Sequence, residues 1–163
     1  MDVPQNLVNE VRDGNIVLWL GAGASMEATD VVGNRPPSAP ELADILARKF
    51  IGKEFANYPL NQVAEYAINE TDLVRVQNFI RDLLDPFSPT EAHKILATFR
   101  WRGIATTNYD LVLERAYDRK KSAAQRLVPF VKNGDRVDEL AHGTNAVEYL
   151  KLHGSITRTD DAS

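Results

Sequence analysis

The chain has 163 residues, 44% apolar and 26% charged, with a net charge of −4 and a pI near 5.4. That is the composition of one ordinary globular domain with a core of its own, and the acidic balance argues against a dedicated nucleic-acid binder, whose footprint is a basic face. No cysteine occurs, which excludes disulfides, a thiolate nucleophile and Cys-based zinc. The N-terminus has no signal-peptide pattern and no apolar run reaches membrane-spanning length, so a cytoplasmic protein without direct membrane contact is expected.

In chain order, Asn6 to Arg12 carries Leu7, Val8 and Val11 at helical spacing, and Asp13-Gly14-Asn15 stops that helix. Ile16-Val17-Leu18-Trp19-Leu20 then reads as a short strand buried on both faces. Gly21-Ala22-Gly23 follows as a tight turn, in which glycine lets the backbone turn and approach a ligand closely. A helix starting near Ala24-Ser25 points its free N–H groups at that ligand, the usual construction of a pyrophosphate site. The third glycine position of the GxGxxG fingerprint is Met26, so a plain tight turn between strand and helix is the competing reading.

Glu27 to Pro40 is rich in Gly, Asn, Pro and Ser and reads as a long loop, either a binding lid or a surface connection. Helices are expected over Pro40 to Ile51, Leu60 to Asn69 and Thr71 to Leu84. A fourth opens with Ser88 as N-cap, Pro89 in the first turn and Glu91 closing a capping box. Its buried face is Ala92, Ile95, Leu96 and Phe99. His93 lies off that stripe and reads as a solvated helix residue.

Gly103 to Thr107 is a second strand, ending at Asn108-Tyr109-Asp110. A helix begins there, with Tyr109, Val112, Leu113, Ala116 and Tyr117 on one face. Leu127 to Val131 is a third strand, followed by the turn Asn133-Gly134-Asp135. Glu148 to Leu152 is a fourth, ending at His153-Gly154-Ser155, and the tail from Thr157 to Ser163 is polar. The expected fold class is α/β, with a mostly parallel, Rossmann-like sheet and a helical insertion over about residues 40–99, all in a single domain spanning 1–163.

Ligands of such sheets bind outside the carboxyl ends of the strands. The three polar clusters, Gly21 to Ser25, Thr106 to Asp110 and His153 to Ser155, all follow strand ends. Each has a plainer reading. Asn108 and Asp110 suit a helix start, and His153 suits a strand–turn junction, although an imidazole beside a ligand is the usual general base at neutral pH. His142, in a loop with no strand before it, ranks below His153. Asp118-Arg119-Lys120-Lys121 is a solvated helix end.

Taken together and in this order, the clusters resemble the sirtuin superfamily. Gly21-Ala22-Gly23-Ala24-Ser25 is similar to its GAG[AI]S phosphate loop, Thr106-Thr107-Asn108-Tyr109-Asp110 to its T-x-N-x-D motif, and Leu152-His153-Gly154-Ser155 to the H-G motif that carries the catalytic histidine. The text from Ala92-His93-Lys94 to Tyr117 resembles the prokaryotic sirtuin-like branch more than the deacetylases. The resemblance implies that Gly21, Ala22, Gly23 and Ser25 hold the NAD pyrophosphate and neighbouring ribose, with Thr107 in the same cofactor-binding set. It implies that Asn108 orients the nicotinamide ribose and an attacking water, that Asp110 helps hold the carboxamide, and that His153 is the general base on a ribose hydroxyl or on water. The implied chemistry is scission of the bond to nicotinamide through an oxocarbenium-like centre.

Two parts of the deacetylases are missing. The four-cysteine zinc module has no counterpart, so no metal is expected, and Met26 to Pro40 replaces the G-x-P-D-F-R loop. The family fold also continues beyond the H-G motif with strands for the adenosine end of NAD, so the domain is expected to be incomplete on its C-terminal side, with an open sheet edge. Zinc-free bacterial members include NAD-hydrolysing effectors of anti-phage defence. The expectation is therefore an NAD glycohydrolase with NAD as substrate, working as a homo-oligomer or with a fused or separate sensor domain. The alternatives are an NAD or ADP-ribose sensor without catalysis, an NAD-dependent deacylase or ADP-ribosyl transferase, and a plain α/β interaction module.

Overall fold

The structure, a computed structural model, describes residues 2–119, 123–131 and 145–157. The turn expected at 133–135, His142, the basic end of the 118–121 run and the tail after Thr157 lie outside the described residues.

Four strands form one sheet: β1 (Val17–Leu20), β2 (Gly103–Thr106), β3 (Arg126–Phe130) and β4 (Ala146–Lys151). They lie in the order β1-β2-β4-β3 and every neighbouring pair is parallel. Helix α1 (Gln5–Asp13) precedes β1, and α2 (Ala39–Leu46), α3 (Leu60–Glu70), α4 (Leu73–Leu84) and α5 (Glu91–Leu96) stand between β1 and β2. Helix α6 (Val112–Arg119) follows β2. This is the mixed α/β, Rossmann-like arrangement expected from the alternation of elements.

One face of the sheet is packed. Ile104, Val147 and Tyr149 meet Ala97, Trp101, Leu113 and Tyr117, with Leu18, Leu20 and Val11 at the margin. The other face is open at β1, where Val17 is 57% and Trp19 62% exposed. The expectation that β1 is buried on both faces is thus wrong for these two residues. Among the described residues β1 is the edge strand, paired with β2 alone, and no layer covers its outer face at these two positions.

The helical insertion has its own core of Leu42, Ala43, Leu46, Ala47, Val63, Ala67 and Val76. Burial of side chains such as Leu46 and Val63, both fully enclosed, contributes about 1.5–3 kcal/mol each. Ser38 caps α2 in a capping box, accepting from the Glu41 N–H while its own N–H donates to the Glu41 carboxylate. The stretch expected as one helix to Ile51 changes at Ala47 into a π-helical turn and stops at Gly52. A third cluster, Ala28, Leu84, Phe87, Val112 and Ile156, joins the insertion to the loops of the sheet. Arg115 adds a polar joint, donating to the Phe87 carbonyl at 2.7 Å and to the Asp85 carboxylate at 2.7 Å.

Candidate active site

The last row of paired residues across three adjacent strands is Leu20, Thr106 and Lys151. The three polar clusters begin immediately beyond it, so the parallel register brings them to one edge at one height.

After β1, Gly21 is extended and Ala22–Ser25 form a single 3-10 turn. The helix expected from Ala24-Ser25 does not form. No side chain caps the turn, the Ser25 hydroxyl is engaged by Asn108, and Ala28 is drawn into the core. Neither Gly21 nor Gly23 has a positive φ, and a Cβ at either would meet nothing within 4 Å. The turn itself therefore does not require glycine. What the two glycines supply is open space above the backbone, the cradle that a phosphate approaching main-chain N–H groups needs.

After β2, the Thr106 hydroxyl donates to the Leu20 carbonyl at 3.0 Å and accepts the Asn108 N–H at 3.0 Å. The Asn108 side-chain amide reaches back 87 positions to donate to the Gly21 carbonyl at 3.1 Å, and to Ser25 Oγ at 3.0 Å. Both amide protons are thereby used, which leaves the Oδ1 lone pairs as the group available to a ligand. The helix-cap reading fails for Asn108. It holds for Asp110, whose carboxylate accepts the Val112 N–H at 3.0 Å. The helix starts at Val112 rather than at Tyr109, which stays in the loop and is 40% exposed.

After β4, His153 is exposed at the cavity mouth, its ring 6.1 Å from that of Tyr109 and tilted by 35°. Gly154 takes φ +90°, a left-handed conformation natural to glycine. The chain then returns to the same loop, the Ile156 N–H donating to the Tyr109 carbonyl at 3.1 Å.

These loops line a cavity of about 470 Å³. Of the expected site residues, Ala22, Ser25, Thr107, Asn108, Asp110 and His153 all face it. Gly21 takes part through its carbonyl, and Gly23 lies within the same turn. The opposite wall is apolar and belongs to the insertion, with Pro36, Pro37, Leu42, Leu60, Ile80 and Leu84. The loop from Glu27 to Pro40 is thus part of the cavity wall, pinned by a bridge between Thr29 and Ser88. A larger groove of about 1120 Å³ lies behind Pro36 and Pro37 but contains none of the three clusters. Among the described residues, no three His, Asp or Glu side chains gather as metal ligands, and no helix is long and apolar enough to cross a membrane.

His93 departs from its expected place. Helix α5 is capped by Thr90 rather than Ser88, with His93 in the position of the usual Glu: its Nδ1 lies 2.8 Å from Thr90 Oγ1 and accepts the Thr90 N–H at 3.3 Å. The imidazole is buried, whereas Ala92, Ile95 and Phe99 of the expected inner face are not. Ser88 lies two residues before the cap, in the bridge to Thr29, its N–H donating to the Thr29 carbonyl. Desolvation pulls the His93 pKa below 6.5, opposed by Asp110, a hydrogen bond with the Ala24 backbone, and Glu27. His93 is thus buried within reach of the Ala24 backbone and of the Asp110 charge.

Residues 102–162 match the SIR2-like domain family. The chain carries a SIR2-like domain. It is also 30% identical over 167 residues to the NAD(+) hydrolase ThsA of Acinetobacter baumannii (strain 532279), an alignment covering 96% of this chain and 30% of that protein. The SIR2-like chain thus spans less than a third of the length of this relative. The family match takes in the Asn108 and His153 motifs, and the alignment with the relative extends across nearly the whole chain.

Proposed function

We propose that this SIR2-like chain cleaves NAD to nicotinamide and ADP-ribose, as the NAD-cleaving module of a bacterial defence effector. The observation that carries the reading is the Asn108 amide, fixed between the Gly21 carbonyl and Ser25 Oγ at the edge of a cavity that His153 also faces. The kinship with an NAD(+) hydrolase supports it.

In this reading the glycine turn receives the pyrophosphate, with Ala22, Ser25 and Thr107 beside it, and Asp110 faces the carboxamide of nicotinamide. Asn108 Oδ1 accepts from the attacking water and the nicotinamide ribose. His153 takes the proton as the water oxygen bonds to the anomeric carbon, and the bond to the pyridinium nitrogen breaks with its electron pair going to nicotinamide. Nicotinamide leaves as a neutral base, so the site needs a positioned nucleophile more than a strong acid. The apolar wall formed by the insertion limits bulk water at the reacting centre. Activity in an oligomer, or under control of a sensor domain or partner protein, belongs to the same reading.

The test follows nicotinamide release from NAD by chromatography, for this chain and for the longest natural polypeptide containing it, each beside Asn108→Ala and His153→Ala. Turnover abolished by both substitutions in folded protein supports the assignment. NAD binding without cleavage favours the sensor reading. Turnover that depends on an added acyl-lysine or other acceptor favours deacylation or transfer.

A further inference from the structure

β4 alternates regularly, with Val147, Tyr149 and Lys151 inside, but at its C-terminal end the residue types are reversed. Leu150 and Leu152 are 41% and 52% exposed, while the Lys151 side chain between them is wholly buried. A one-residue slip would exchange the two faces, yet the pairing of Thr106 with Lys151 holds the ammonium inside. An unpaired buried ammonium is among the costliest groups a fold can carry. The reason for the arrangement lies in what Lys151 touches.

An ammonium has three N–H donors and accepts nothing, and three oxygens surround Lys151 Nζ. These are the Glu114 carboxylate at 2.7 Å, the Asp110 carbonyl at 2.5 Å and the Tyr109 carbonyl at 3.4 Å. Two of the three are main-chain groups directly after Asn108. The Tyr149 hydroxyl donates to the other Glu114 oxygen at 3.4 Å, steadying the counter-ion. The strand that leads to His153 thus grips, from beneath, the loop that carries Asn108 and Asp110.

We propose that Lys151 is a positioning residue of this site: its buried ammonium fixes the Tyr109–Asp110 backbone so that Asn108 reaches Gly21 and Ser25. Stability alone does not call for such a pair, because apolar residues of similar volume often replace a buried ion pair without loss. An apolar side chain here would take this donor from the Asp110 carbonyl and leave the Tyr109 carbonyl with the Ile156 N–H alone.

The experiment uses the longest natural polypeptide containing the chain, with Lys151→Met, Lys151→Arg and Glu114→Gln. Amide exchange is read at Ile156 and Val112, whose N–H groups bond to the Tyr109 carbonyl and the Asp110 carboxylate. Nicotinamide release gives kcat and KM. Lys151→Met should speed exchange at both amides about tenfold without global unfolding. It should lower kcat roughly 100-fold, with KM changed by less than about threefold. Lys151→Arg should restore part of both. The proposal is overturned if Lys151→Met leaves exchange and kcat unchanged, or if activity falls only in step with the unfolded fraction. Should Lys151→Met not fold, normal exchange and kcat in both Lys151→Arg and Glu114→Gln overturn it equally. The kinetic arm rests on the NAD-cleavage reading and the exchange arm does not, so the clamp is tested even in a wild-type protein that releases no nicotinamide.

Discussion

Asn108 Nδ2 stands 3.0 Å from Ser25 Oγ, joining residues 83 positions apart and locking the loop after β2 onto the turn after β1. Because the amide donates, the Ser25 proton remains free to be offered to a ligand. Asn108→Ala should therefore reduce NAD cleavage by roughly 100-fold or more, through loss of both the Oδ1 acceptor and the lock. Ser25→Ala should cost about tenfold, since the lock keeps its second anchor at Gly21. Steady-state kinetics on variants with unchanged circular dichroism decide this; a harmless Ser25→Ala would show that the Ser25 hydroxyl serves neither the lock nor the ligand.

Gly21 and Gly23 separate folding from binding. Alanine at either meets no atom within 4 Å and needs no positive φ. Each substitution is expected to leave stability unchanged or raise it by about 0.4–1 kcal/mol through the unfolded state, while weakening NAD binding. Gly154→Ala, at φ +90°, should instead destabilise by roughly 1–3 kcal/mol. Urea unfolding paired with calorimetric titration of NAD tests both halves. Unweakened NAD binding in both alanine variants of the turn would remove it from the site.

Thr106 is 1% exposed and serves both neighbours of the site, donating to Leu20 and accepting from Asn108. Thr106→Val keeps the shape and deletes both bonds. It should cost about 1–3 kcal/mol, because the half-buried Asn108 N–H loses its partner and the Leu20 carbonyl keeps only the Thr107 N–H. Turnover should fall further than the folded fraction does. Equal losses in the two would mean that the hydroxyl serves the fold alone.

His93 makes acid stability a readout of the site's foundation. Its pKa is lower in the folded chain than the ordinary 6.5, chiefly by desolvation and despite the Asp110 and Glu27 carboxylates and the Ala24 backbone bond. The unfolded chain therefore binds the proton more readily. The stability that the neutral imidazole supports is complete above pH 6.5, declines below it, and is lost once pH passes the folded pKa. Thermal unfolding from pH 8 to pH 5 should show this decline, and His93→Gln should flatten it. An acid limb of the same slope in the variant would assign the loss to other groups.

The strand ends and the polar clusters after them were legible because short apolar runs, glycine and the turn residues are local signals. In α6, Val112, Leu113, Ala116 and Tyr117 are all buried, as the helical spacing predicts. What escaped depends on partners remote in sequence. Ser88-Pro89-Thr90-Glu91-Ala92-His93 contains two overlapping cap patterns, and the fold uses the second, with Ser88 in the bridge to the remote Thr29. Lys151 looks solvent-facing by its charge, although alternation sets it on the inner face with Val147 and Tyr149, and Glu114 and two carbonyls meet its ammonium there. Trp19 looks interior because an apolar run does not reveal that its strand stands at an edge.

That edge gives the molecule two optical reporters of opposite kind. Its tryptophans number two: Trp19, 62% exposed on the open face of β1, and Trp101, 7% exposed with its indole N–H on the Leu96 carbonyl. A water-soluble quencher should dim the emission of Trp19 while sparing that of Trp101. Whatever comes to lie over the sheet, whether further polypeptide or a neighbouring molecule, will announce itself as a blue shift and a loss of quenching in the first signal, with the second as the internal standard.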